Sequence, residues 1–437
     1  MGNGKMLIKK IKVSNFKSFG ELDVELGSFN VLIGANASGK SNFLTILKFL
    51  KDVVEDGLDN AISMQGGVGC IRNINIGASE NLSVELHIDS SDAPFGFADV
   101  PVNDKKIIGA LANGFVYKFG IEFPTPEERI AYRIVEERLI VNCDFVELNS
   151  GGEDVREKRK MWGDITVSRD AEGVRDSLNV KDTPIAVSDA IISSHFPKKG
   201  FSEEKLSHKK LFLANSIVLP RLSFIVTKFF KDVSIYDFDP KLSKESTPLT
   251  GKTELEPDGR NLAIVLKNIL DDEKKLESMF TLVKDLLPFV EGLTVERLAD
   301  KSLLAGLREV YSEKKFLPAS LMSDGTINIT ALIIALYFEE KPVIAIEEPE
   351  KGIHPHLISK VVAMMKDVSE RFEKQIIVTT HNHEMVKYAG IENILLVNRD
   401  DNGFSQISRP SEKAEVKIFL ENEMGIEELY VQNLLGW

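Results

Sequence analysis

The chain has 437 residues, enough for a large core and for two or three lobes. Its 43% hydrophobic and 28% charged residues are those of an ordinary soluble globular protein, and no apolar run approaches a membrane span, so no transmembrane helix is expected. The formal net charge of -13 denies it the overall basic footprint of many nucleic-acid binders.

The first ten residues are polar and basic with no apolar stretch behind them, which argues against a secretory signal. The two cysteines, Cys70 and Cys143, make neither a disulfide framework nor a metal site, and they fit a reducing cytoplasm. Basic runs occur at Lys9, Lys10 and Lys12, at Arg156, Lys158, Arg159 and Lys160, and at Lys209 and Lys210. Their ordinary reading is a solvated surface.

In chain order, residues 7–13 mix apolar and basic positions in near-alternation, and Leu22, Val24 and Leu26 alternate with Asp23 and Glu25. Both stretches read as strands. Residues 29–33 are a mostly apolar run typical of a buried central strand. Phe43, Leu47, Leu50 and Val54 then recur at helical spacing across residues 41–54. Between strand and helix lies Gly34-Ala35-Asn36-Ala37-Ser38-Gly39-Lys40-Ser41, which fits G-x-x-x-x-G-K-[ST]. Its glycines let the backbone curl so that N–H groups meet phosphate oxygens, and the following helix aims its positive end, with Asn42 in the first turn, at the same phosphates. Lys40 is expected on the β- and γ-phosphates and the Ser41 hydroxyl on Mg2+.

Residues 82–167 are strand-rich, clearest at 82–88, 114–123 and 132–141, with a loop expected over 149–153. Residues 184–288 read as helices broken by polar loops, clearest at 262–270 and 276–287, with a polar connector over 243–258. Scattered Gly and Pro argue against a long coiled-coil arm.

From residue 317 the α/β rhythm returns. Leu321-Met322-Ser323-Asp324-Gly325-Thr326 precedes an apolar helix over 326–339. Ser323 suits an N-cap, and the same helix start suits an anion from another subunit; the two readings are compatible. Residues 343–347 form a strand ending in Glu347 and Glu348, the first placed to hold Mg2+ and the second to orient or deprotonate water. A helix starts at Pro355. Strands follow at 376–380 and 394–397, the first ending in Thr379-Thr380-His381, where an imidazole could touch a γ-phosphate. His354 and His356, like His381 and His383, are two apart, a spacing that does not put both rings on one helix face, so no zinc site is expected.

These blocks, in this order, resemble the ABC-type ATPase heads of the SMC/RecF group. The nearest likeness is to short "AAA family ATPase" proteins related to the OLD-family ATPase domain and found in antiphage-defence and abortive-infection operons. It starts at Ile11-Lys12-Val13-Ser14-Asn15-Phe16-Lys17-Ser18-Phe19, which is similar to that group's opening strand, and covers nearly the whole chain. It implies an α/β P-loop NTPase fold with a β-rich N-terminal lobe and a helical insertion. The expected divisions are 1–170, 171–310 and 311–437.

The resemblance makes Ser323-Asp324-Gly325 the signature, Glu347 and Glu348 a two-glutamate Walker B, residues 351–355 the D-loop and His381 the switch histidine. It implies that two heads sandwich two ATP molecules, with Ser323 and Gly325 completing the partner's site, Glu348 acting on water and His381 holding the γ-phosphate. Lys17 is expected near the nucleotide, and Gln65 is the sole glutamine between P-loop and signature, hence the candidate Q-loop ligand of Mg2+. Ala35 and Ala37 replace a Pro and a Gly common in the group. The signature lacks the second Gly and the Gln of transporter heads. Only 56 residues follow His381 (437 − 381), far short of a domain of ~100 residues, so no Toprim nuclease is expected.

Three functions follow from these readings. The leading one is a cytoplasmic, ATP-dependent homodimer or higher oligomer that senses or scaffolds in phage defence beside a separately encoded effector. The second is a RecF-like DNA-repair ATPase that clamps DNA, and the third is an interaction protein in which ATP is structural.

Overall fold

The computed structural model describes the chain except residues 1–5, 93, 104–105, 125–130, 150–160, 171–172, 181–209, 212–219, 313–314, 422–424, 433 and 436–437. Four of the five positions of the loop expected over 149–153, the basic run from Arg156 to Lys160, and Lys209 lie outside the described residues.

Two units interleave along the chain. The first comprises residues 1–27, 45–232 and 399–407; the second comprises 28–44, 233–398 and 408–437.

The first unit is an antiparallel sheet of eight strands. Strands Leu7–Phe16 and Phe19–Glu25 pair with each other, and the former also pairs with Leu82–Asp89. The sheet continues through Lys106–Glu122, Arg133–Asn149, Met161–Asp170 and Gly173–Val180, with Phe95–Asn103 pairing the first half of Lys106–Glu122 on the edge whose second half pairs with Leu82–Asp89. Leu82–Asp89 alternates buried and half-buried positions, as a strand with one covered face must. Phe49 covers that face, its ring 5.8 Å from Phe16 and 6.5 Å from Phe119, and all three are fully buried. Each such ring contributes about 1.5–3 kcal/mol by leaving water.

The register of this sheet sets acids opposite the basic opening strand. Lys12 pairs with Asp23 on one side and Glu85 on the other, and Lys10 with Glu25. The resulting ion pairs are Lys10–Asp23 at 2.8 Å, Lys12–Glu85 at 3.2 Å and Lys9–Asp89 at 3.5 Å. This basic run is therefore compensated locally.

The second unit is built on five parallel strands in the order Val233–Tyr236, Val343–Glu347, Gln375–Thr380, Phe29–Ile33, Ile394–Arg399. Phe29–Ile33 and Gln375–Thr380 are buried at every position, as strands covered on both faces are. Val233–Tyr236 comes from the middle of the chain, where helices alone were expected. Helices do occupy Leu262–Leu270 and Glu273–Leu286. A hairpin of Val290–Arg297 and Ser302–Glu309 follows, flanked by the short strands Thr247–Pro248 and Leu317–Pro318.

The helix expected over 326–339 begins at Asp324 and runs to Ile333, then widens into a π-helical turn over Ile334–Phe338. Lys374 satisfies the carbonyls at its end, Nζ donating to Leu336 O at 2.7 Å and Glu339 O at 2.6 Å. No helix among the described residues is long and apolar enough to cross a membrane.

Candidate functional site

The turn after Phe29–Ile33 is the centre of the site. An added Cβ on Gly34 would lie 2.1 Å from the Val397 carbonyl oxygen, so only glycine lets this turn press against the neighbouring strand. Ala37 (φ 63°) and Gly39 (φ 119°) carry the chain through the left-handed region, which turns successive N–H groups inward. Helix Lys40–Asp56 starts at once and has no acidic residue in its first turn, so its positive end favours an anion. Ala35, Asn36 and Ala37 are exposed, whereas Ser38, Gly39 and Lys40 are buried. Lys40 Nζ folds back onto the turn, donating to Gly34 O at 2.7 Å and Ala35 O at 3.0 Å. Burial pushes its amine below the usual lysine value, against the opposing pull of Glu348, Glu347 and Glu350.

Strand Val343–Glu347 lies one strand away from Phe29–Ile33, across Gln375–Thr380. Its last residue meets the P-loop: Ser41 Oγ donates to Glu347 Oε1. Glu348 follows in the left-handed conformation (φ 44°), its N–H donating to Thr379 O at 2.9 Å. This holds Glu348 beside the end of Gln375–Thr380, where His381 Nδ1 is 2.6 Å from Glu348 Oε1. Lys351 Nζ stands 4.0 Å from the other Glu348 oxygen and 3.0 Å from Asp237 Oδ1. Lys40, Ser41, Glu347, Glu348 and His381 are thus brought together.

A hydroxyl and a carboxylate in mutual contact beside this turn are hard oxygen donors that fit Mg2+. Ser41 and Glu347 are the pair that would hold it, leaving most of its coordination to water and phosphate.

Ser323 is the N-cap of Asp324–Ile333, its Oγ accepting from Thr326 N at 3.1 Å. Gly325 lies against the turn after Walker B: an added Cβ would be 2.5 Å from Gly352 O, and Gly352 itself has φ 68°. Asn328 Nδ2 donates to Lys351 O at 2.6 Å, fastening the same turn to the same helix.

Lys17 and Gln65 belong to the first unit. Lys17 (φ 50°) sits in the turn after Leu7–Phe16, its Nζ 3.5 Å from Gln65 O, and burial lowers its amine value. The Gln65 side chain hydrogen-bonds Asp52, whose carboxyl is nonetheless raised because burial outweighs that bond.

Several contacts at the site escape a reading of the sequence. Glu350, 7% exposed, accepts from Thr380 Oγ1 through Oε1, and burial raises its carboxyl. Tyr430 accepts a hydrogen bond from the Gly34 amide. Asn328 and Lys351 bind the turn described above. Only Glu350 carries a local signal, as a third carboxylate in Glu347-Glu348-Pro349-Glu350. His354 and His356 correct the spacing argument: His354 is the non-helical N-cap of Pro355–Arg371, so the two Nδ1 atoms approach to 2.7 Å. Among the described residues no group of three or more metal-ligating side chains is present.

Two family profiles match the chain. One, described as "AAA domain, putative AbiEii toxin, Type IV TA system", matches residues 203–386. The other, "AAA ATPase domain", matches residues 6–92. These two segments are thus similar to AAA-type ATPase domains. No curated protein matches it. Among solved structures it is similar to an SMC head bound to the C-terminal winged-helix domain of ScpA, at 16% identity and TM-score 0.43, over 92% of this chain and 97% of that one. An SMC head from Pyrococcus furiosus gives 13% identity and TM-score 0.43 over 96% and 100%. The SMC head of Thermotoga maritima gives 14% and 0.36 over 92% and 98%.

Proposed function

We propose that this protein binds ATP with Mg2+, dimerises on it, hydrolyses it, and serves as the sensor or scaffold subunit of an antiphage-defence system with a separate effector. The observation that carries the catalytic part is the 2.6 Å contact of His381 with Glu348 beside Lys40 and the Ser41–Glu347 pair. Glu348 accepts a proton from water as its oxygen bonds to the γ-phosphorus. The bond from that phosphorus to the bridging oxygen breaks, and ADP leaves with the electron pair. Lys40 neutralises charge on the β- and γ-phosphates, and His381 donates to a γ-phosphate oxygen. Mg2+, when bound by Ser41 and Glu347, offsets further phosphate charge.

Ser323 and Gly325 serve the partner's ATP: the positive end of the helix they start favours an anion. The defence role is supported by the likeness of residues 203–386 to the AAA domain of the AbiEii toxin type. A DNA clamp is less favoured, because Lys9, Lys10 and Lys12 already face acids. The reading is tested by measuring ATP hydrolysis and solution mass with ATP, and by identifying what co-purifies.

A further inference from the structure

The imidazole of His381 is 54% exposed, so its own packing does not fix it. Its backbone neighbours are fixed instead. Thr380 is fully buried, and its hydroxyl donates to Glu350 Oε1. The same Thr380 oxygen accepts the Asn382 N–H at 2.9 Å. Asn382 in turn caps helix His383–Ala389, its Oδ1 accepting from Glu384 N at 2.8 Å. His381 is therefore the single residue between two anchored ones. On the other side Glu348 is tied to the same strand by its N–H on Thr379 O, and Pro349 alone separates it from Glu350. Two cross-links, one through a backbone amide and one through the Glu350 carboxylate, thus hold the turn after Val343–Glu347 to the end of Gln375–Thr380. His381 and Glu348 stand at their ends.

We infer that Glu350 and Thr380 are positioning residues that set His381 opposite Glu348. The inference rests on the proposed roles of that pair in hydrolysis. A carboxylate suits the task because it accepts only, which forces the Thr380 hydroxyl to donate to it and leaves the Thr380 lone pair for the Asn382 amide. Glu350 Oε2, buried and without a hydrogen-bond partner, makes no competing claim on the group. The burial of Glu350 also suits a structural task, since it has little water to bring to a reaction.

The test compares Thr380→Val, Thr380→Ser and Glu350→Leu, each made both in the wild-type chain and in His381→Ala. ATP hydrolysis gives kcat and KM, and a fluorescent ATP analogue gives nucleotide affinity and reports folding. Thr380→Val and Glu350→Leu are expected to lower kcat by about 10-fold to 100-fold, as ~1 Å misplacements do, with KM and affinity within about 3-fold. Thr380→Ser, which keeps the hydroxyl, restores kcat to within about 3-fold. In His381→Ala neither change costs more than about 2-fold, because the residue being positioned is gone. Equal losses in both backgrounds, or full activity of Thr380→Val in the wild-type chain, would overturn the inference. Full activity of His381→Ala alone would instead overturn the role given to His381, and this inference with it.

Discussion

The Glu348 carboxylate is held against His381, 2.6 Å from Nδ1, by a backbone in the left-handed region whose N–H is fixed to Thr379 O. Left-handed backbone at a residue other than glycine costs of order 1–3 kcal/mol and persists where surroundings over-determine it. Here the surroundings are a parallel pair of buried strands, Val343–Glu347 and Gln375–Thr380.

Glu348→Gln is expected to lower kcat by about 10^2–10^4-fold, the contribution of a positioned general base. Nucleotide binding is retained, since Lys40, Ser41 and Glu347 are untouched. Size-exclusion chromatography with ATP should then show a long-lived dimer. A variant that hydrolyses ATP at the wild-type rate, or stays monomeric with ATP, contradicts the assignment.

Gly325→Ala is predicted to harm both stability and hydrolysis. The new methyl would sit 2.5 Å from Gly352 O, so the start of Asp324–Ile333 and the turn after Walker B must separate. Such overpacking costs about 1–3 kcal/mol, measurable in urea unfolding. Hydrolysis should fall further than stability explains, because Ser323 moves with the helix start.

Lys374 makes stability depend on alkaline pH. Burial brings its amine down from 10.5 to about 8. Between these values the unfolded chain binds the extra proton, so stability rises as pH climbs from 8 towards 10 and is lost as pH falls back through 8. The neutral amine still donates to Leu336 O and Glu339 O. Relative to Lys374→Met, the wild-type chain should gain up to about 3 kcal/mol over that window. Denaturant midpoints of the two proteins that run parallel from pH 7.5 to 10 would refute this.

Much of the second unit was legible because its signals are local. The P-loop lies between a short apolar strand and an amphipathic helix, and helix Leu262–Leu270 has the bounds its periodicity gives. Val233–Tyr236 was not legible: four residues cannot display a period, and the parallel partner is more than 100 positions away. The hairpin of Val290–Arg297 and Ser302–Glu309 was missed because Val290–Arg297 buries an irregular set of positions and does not alternate. Within the site, Glu347, Glu348 and His381 follow apolar strands and could be read there. Thr380 and Asn328 act through partners 30 and 23 positions distant, and no spacing rule reaches that far. The contact of His354 with His356 was hidden for another reason: helical spacing does not apply to a residue that precedes the helix.

The central claim is that Lys40 and Ser323 serve one ATP from opposite subunits of a dimer. Lys40→Ala and Ser323→Arg, each purified alone, should hydrolyse ATP poorly. Mixed in equal amounts, they form heterodimers in which one site carries both changes and the other carries neither. Hydrolysis should then recover to about a quarter of the wild-type rate for random pairing in a twofold dimer with independent sites. A mixture no more active than its two components, or a Ser323→Arg protein that is fully active alone, would contradict the account.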